Sequence, residues 1–142
     1  MGAMPFKLPL QPPRLARPLF LSRVPAGFPS PADDYVECSL DLNEHLIAHR
    51  EATFFVRVKG HSMTGAGFRD GDLLVVDRSL EAGDGDIVVA VVDGELTVKR
   101  LSRRGGTVRL LPESPGFAPI EFKDGQELTV WGVVTSVIHR VR

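Results

Sequence analysis

The stretch Gly60-His61-Ser62-Met63-Thr64-Gly65, entered from Ala52-Thr-Phe-Phe-Val-Arg-Val-Lys59, decides how the rest of the chain reads. Alternation over residues 52–59 predicts a strand, with Phe54, Val56 and Val58 on one face and Arg57 and Lys59 on the other. The strand stops at Gly60. A serine follows almost at once, and Gly65 and Gly67 come soon after it. A serine at a strand end, among residues that bend sharply, is placed to present its hydroxyl to a cleft. Its own backbone N–H, with that of His61, would then serve as oxyanion donors. The plain alternative is a loop serine with no chemistry.

A nucleophilic serine needs a base. His61 is adjacent, but neighbours in an extended chain point to opposite sides, so its ring should face away from the Ser62 hydroxyl. Lys99, in Glu95-Leu-Thr-Val-Lys-Arg-Leu101, is the better candidate. On a strand it shares a face with Thr97 and Leu101, whereas Arg100 points the other way. Burial among such neighbours lowers a lysine pKa, because the charged form loses water. A neutral amine can take the serine proton, as in Ser–Lys variants of the catalytic triad. The alternative is an ordinary surface lysine on an edge strand.

Four motifs then fall in series: Gly60-His-Ser-Met, Asp70-Gly-Asp-Leu-Leu-Val-Val-Asp77, Gly85-Asp-Ile-Val88 and Asp93-Gly-Glu-Leu-Thr-Val-Lys-Arg100. In this order and spacing the chain resembles the LexA/UmuD family of Ser–Lys self-cleaving proteins, from about Pro18 to the C-terminus. The likeness is nearer to the UmuD branch. It implies Ser62 as nucleophile, Lys99 as general base and no cofactor or metal. It also implies a cytoplasmic homodimer in the SOS response. RecA filament on single-stranded DNA would stimulate cleavage, and a UmuC-type DNA polymerase and the sliding clamp would be partners. His61 departs from the pattern, since UmuD carries aspartate there and LexA methionine.

Residues 1–31 hold Pro5, Pro9, Pro12, Pro13, Pro18, Pro25, Pro29 and Pro31. Proline removes a donor and fixes φ, so the stretch reads as an extended arm without helix or central strand. Its composition alone would suit a disordered tail. Within it, Val24-Pro-Ala-Gly-Phe-Pro-Ser-Pro-Ala-Asp-Asp-Tyr-Val36 resembles the family's cleavage segment, which places the scissile bond at Ala26–Gly27. The residue types suit that role. Ala26 fits a shallow pocket, Gly27 permits close backbone approach, and Val24 could fill a second apolar pocket. An extended chain covers ~3.3 Å per residue, so the arm can reach its own Ser62 or a partner's.

Composition limits other functions. The formal net charge is −1 with no basic block, which gives no electrostatic footprint for direct nucleic-acid binding. The single cysteine, Cys38, cannot form an internal disulfide and reads as a half-buried apolar residue in a reducing compartment. No apolar run is long enough for a membrane span, and prolines interrupt any signal-peptide core. Asp41–Arg50 reads as one short helix. Asp41 caps it, Glu44 completes a capping box and the leucines are buried. His45 and His49 lie four apart but lack a third metal ligand. The acidic series Asp70, Asp72, Asp77, Asp84 and Asp86 sits among strand-end glycines and reads as turns.

Residues 73–76, 87–92, 95–101 and 107–111 read as strands. Asp93-Gly94 is a tight hairpin turn, and 127–138 is a long apolar strand broken by Gly132. Strands 107–111 and 128–138 need cover, from the fold or from a second subunit.

The expected fold is mostly β: a compact, twisted, barrel-like sheet of the LexA peptidase type, with one short helix. The expected domains are the arm, 1–31, and a Ser–Lys peptidase domain, 32–142. The function implied is a self-cleaving serine endopeptidase that removes its own arm and leaves a polymerase accessory subunit. An inactive scaffold and the peptidase half of a LexA-like repressor are the alternatives. The proline-rich arm cannot supply the repressor's helix-turn-helix, and a signal-peptidase-like enzyme would need a membrane anchor.

Overall fold

The structure, a computed structural model, describes residues 13–20, 23–24, 26–27, 36–122 and 128–142. Pro5, Pro9, Pro12, Pro25, Pro29 and Pro31, the stretch 28–35 and residues 123–127 lie outside the described residues. Contacts divide the chain into two units, Met1–His45 and Leu46–Arg142.

In the first unit, β1 (Ala16–Phe20) pairs antiparallel with β2 (Val36–Asp41). The arm sequence does not announce this strand. Pro18 is tolerated because each strand of a two-stranded sheet has a free edge, where a missing N–H costs nothing. Asp41 ends β2 and caps α1 (Leu42–Leu46), its Oδ1 accepting from Asn43 N–H at 2.9 Å and Glu44 N–H at 3.4 Å. Its Oδ2 accepts from Leu15 N–H at 2.9 Å. Glu44 does not close a capping box but pairs with Arg14. The helix is shorter than predicted and buries none of its residues; Leu42 is exposed. Cys38, read as half-buried, is exposed on β2.

The second unit is a seven-stranded antiparallel sheet. Its strands are β3 (Thr53–Arg57), β4 (Leu73–Asp77), β5 (Ile87–Val92), β6 (Glu95–Arg104), β7 (Thr107–Leu111), β8 (Ile120–Phe122) and β9 (Thr129–Ile138). They lie in the order β3-β4-β9-β5-β6-β7-β8. The β5–β6 hairpin turns at Asp93 and Gly94, with φ of 50° and 78°, which the asparagine-like tolerance of Asp and the freedom of Gly permit. β9 runs unbroken through Gly132. A Cβ there would come within 2.5 Å of Val76 Cγ1, so glycine lets β9 lie against β4 rather than interrupting it.

Four strand spacings separate β3 from β6, roughly 19 Å in a flat sheet. Yet Val56 of β3 and Val98 of β6 pack on one core cluster, with Val58, Met63, Phe68, Leu74, Val76 and Val89 at its centre. The sheet therefore curls. Register shifts between Val75 and Val76 on β4, and between Val89 and Ala90 on β5, add local bend of the kind bulges produce. A second cluster, built on Val88, Ala90, Leu101, Leu110 and Val133, fills the rest of the unit.

Three of the aspartates read as turn residues accept from backbone, Asp86 within its own turn and Asp70 and Asp84 across ten and nineteen residues. Asp70 Oδ1 accepts from Gly60 N–H at 2.7 Å, Asp84 Oδ1 from Arg103 N–H at 2.8 Å and Asp86 Oδ2 from Gly83 N–H at 2.9 Å. Asp72 and Asp77 are buried and reach further, to His139 Nδ1 at 2.7 Å and His49 Nδ1 at 2.6 Å. The Ser79 hydroxyl and amide, with His49, hold the Asp77 carboxyl down to about 2.

Candidate active site

Ser62 sits in the connection from β3 to β4. Val58, just past the end of β3, is tied to the turn before β4: its N–H donates to Asp72 O, and its carbonyl accepts from Gly71 N–H, both at 2.8 Å. Gly60 takes a φ of 92°, which only glycine adopts without strain, and turns the chain. Met63 then drops into the core, 3% exposed. Burying such a side chain contributes about 2 kcal/mol, enough to fix the residue beside it. Ser62 is left half-buried at the rim of a cleft of about 340 Å³, lined by Val58, Ser62, Met63, Leu96, Thr97 and Lys99 among others.

Lys99 arrives from the middle of β6, opposite the fully buried Val88. Its Nζ lies 2.9 Å from Ser62 Oγ, 3.1 Å from Thr97 Oγ1 and 3.1 Å from Val98 O. Burial pushes the lysine below its ordinary pKa. No carboxylate is bonded to it among the described residues, so no opposite charge offsets that burial. The three partners suit both protonation states. An ammonium donates to all three. A neutral amine donates to Thr97 Oγ1 and Val98 O and keeps one lone pair, which faces the Ser62 hydroxyl.

Among the described residues, the N–H groups of His61 and Ser62 have no protein acceptor. The His61 side chain is exposed and makes no hydrogen bond to Ser62. Its carbonyl is held instead by Ser114 Oγ at 2.7 Å and by the Thr64 amide at 3.4 Å.

The sequence reading missed the segment that supports this loop. Glu113 N–H donates to Ser62 O, and Glu113 O accepts from Gly65 N–H, each at 2.7 Å. The Glu113 carboxylate pairs with Arg100, next to Lys99 on β6, and Arg100 Nη1 also donates to Gly85 O at 2.6 Å. Nucleophile loop and base strand are thus braced through residues 113 and 100. The available signal was Pro112-Glu-Ser-Pro115, a polar pair held between two prolines directly after a strand.

Ala26 and Gly27 lie in an exposed bend of the first unit, and Val24 is exposed beside them. No group of His, Cys, Asp and Glu among the described residues is arranged to hold a metal ion. No helix among them is long and apolar enough to cross a membrane.

A family model described as Peptidase S24-like matches residues 18–135. The protein ImpA of Escherichia coli is 50% identical over 132 residues, covering 89% of this chain and 86% of ImpA. MucA of Escherichia coli is 47% identical over 120 residues, covering 83% of this chain and 81% of MucA. Both are UmuD homologues. LexA repressor 2 of Pseudomonas putida is 39% identical over 132 residues, covering 93% of this chain and 65% of the repressor.

Proposed function

Because the chain belongs to the Peptidase S24-like family, whose members are serine peptidases, we propose that it cuts its own arm between Ala26 and Gly27 with Ser62 and Lys99 as a dyad. The 2.9 Å approach of Lys99 Nζ to Ser62 Oγ carries the reading. Neutral Lys99 takes the Ser62 proton as Oγ bonds to the Ala26 carbonyl carbon. The carbonyl oxygen becomes an oxyanion, which the Ser62 and His61 N–H groups stabilise. As the intermediate collapses, the C–N bond breaks and Lys99 returns the proton to the Gly27 amine. Water, deprotonated by Lys99, then attacks the acyl-enzyme ester and frees the carboxyl of Ala26 and the Ser62 hydroxyl.

The apolar part of the cleft suits Val24, and the small Ala26 keeps the carbonyl close to Ser62. On this reading the shortened product is an accessory subunit of an error-prone translesion DNA polymerase. It acts as a cytoplasmic homodimer, with RecA filament favouring the docked arm and the sliding clamp as a further partner. Similarity to UmuD homologues supports that wider role.

The test is intact-mass spectrometry of the purified protein after alkaline incubation, beside Ser62→Ala. Wild type should yield a fragment beginning at Gly27, and the folded variant none. A fragment starting elsewhere would move the scissile bond. Equal cutting by Ser62→Ala would end the assignment of the nucleophile.

A further inference from the structure

We infer that Ser114 is a positioning residue that aims the Ser62 N–H into the cleft as an oxyanion donor. The inference rests on the self-cleavage reading above and concerns a residue that never touches the reacting atoms.

The Ser114 hydroxyl has one proton to give and two lone pairs to fill. It lies 2.7 Å from His61 O, which can only accept, so the Ser114 proton points there. Its lone pairs then receive the Thr64 N–H, at 3.1 Å, and the Thr64 hydroxyl, which also lies 3.2 Å from His61 O. All three capacities of the Ser114 hydroxyl then have a partner.

The effect passes through one rigid unit. His61 C=O and Ser62 N–H belong to the same planar trans peptide, in which the two groups point in opposite directions. Drawing the carbonyl toward Ser114 and Thr64 turns the N–H away from them. Ser62 lines the cleft, and among the described residues its N–H has no protein acceptor. The next peptide is held from the same segment, because Glu113 N–H donates to Ser62 O at 2.7 Å. Both peptides flanking the nucleophile are therefore fixed by residues 113 and 114. Free rotation of either would leave the donor misdirected when charge develops, and a preorganised donor is where such stabilisation comes from.

The test is the pH–rate profile of self-cleavage in the full chain, read as appearance of the Gly27 fragment. Ser114→Ala should lower the alkaline plateau at least about tenfold, short of the ~10²–10³ lost when an oxyanion donor is removed outright. The inflection should stay where wild type has it, because Lys99 and its three partners are untouched. Ser114→Thr keeps the hydroxyl and should recover the plateau to within about threefold. Thr64→Val keeps Ser114 and removes the hydroxyl that bonds Ser114 Oγ and lies 3.2 Å from His61 O. It should lower the plateau about threefold, and it carries the test if Ser114→Ala does not fold.

A wild-type plateau in folded Ser114→Ala, or in Thr64→Val where Ser114→Ala is unfolded, would overturn the inference. A shifted inflection would overturn it too, since the change would then act on the base. Absence of any Gly27 fragment from wild type would instead overturn self-cleavage, and this inference with it.

Discussion

Gly65 offers the sharpest test of how the nucleophile is held. A Cβ at this position would lie 2.1 Å from Glu113 O and 3.1 Å from its carbonyl carbon. Cβ contacts below 3.0 Å are essentially never seen, so Gly65→Ala forces the two segments apart by about 1 Å. The backbone cannot absorb this cheaply. Gly65 N–H to Glu113 O and Glu113 N–H to Ser62 O are both 2.7 Å, and both must stretch or break. Two such bonds at about 1 kcal/mol each put the stability loss near 2 kcal/mol, or about 5–10 °C in Tm.

The chemical loss should be larger, since a misplacement of about 1 Å at a reacting group costs on the order of 10²-fold in rate. The assay is Gly27-fragment appearance in alkaline buffer, with thermal melting followed by circular dichroism. Gly83→Ala is the control. Its Cβ would meet only Asp86 Oδ2, at 3.9 Å, so melting and rate should hold or improve slightly. Wild-type cleavage by Gly65→Ala, with an unchanged Tm, would refute the claim that residues 113 and 114 hold the nucleophile loop.

Lys99→Ala should lose the ~10²–10⁴-fold typical of a general base, and Lys99→Arg should do no better because a guanidinium stays charged. In wild type the rate should rise with pH and level off below lysine's usual range, since burial lowers Lys99 and only its neutral form accepts the proton. An inflection that His61→Ala removes would show the base to be histidine. Ala26→Asp should block the cut by setting a charge in a small apolar pocket, and mass spectrometry showing normal Gly27 product would contradict this. Asp77 titrates near 2 in the fold against 3.8 unfolded, so its stabilisation is present above 3.8 and fades as pH falls toward 2. Asp77→Asn should thus melt below wild type near neutral pH, with the gap closing through that window; a gap unchanged at the acid end would refute it.

Much of the sheet could be read from the chain because its signals are local. Asp93-Gly94 between two apolar runs specifies a hairpin wherever it occurs, and Ser62 and Lys99 each belong to a recognisable strand or strand end. What escaped depends on neighbours distant in sequence. Pro18 argues against a strand until a two-stranded partner leaves it a free edge. Gly132 looks like a break until Val76 is seen pressed against it. Ser114 carries no signature, because its meaning lies in a carbonyl 53 residues earlier. Leu42 and Leu46 share a helical face, yet α1 is too short to bury either one.

The position of β9 has a consequence for when the protein can act. This strand, the last in sequence among those described, lies between β4 and β5, and so separates the β3 side of the sheet from β6. Until residues 129–138 are made, no continuous strand pairing joins the strand leading to Ser62 with the strand carrying Lys99. At the usual pace of translation, the 39 residues from Lys99 to Ile138 take roughly 2–8 s. During that interval the arm is already complete and exposed to attack. Strand order thus acts as a timer: a growing chain holds every group needed to cut itself before it has the strand that seats them in one sheet.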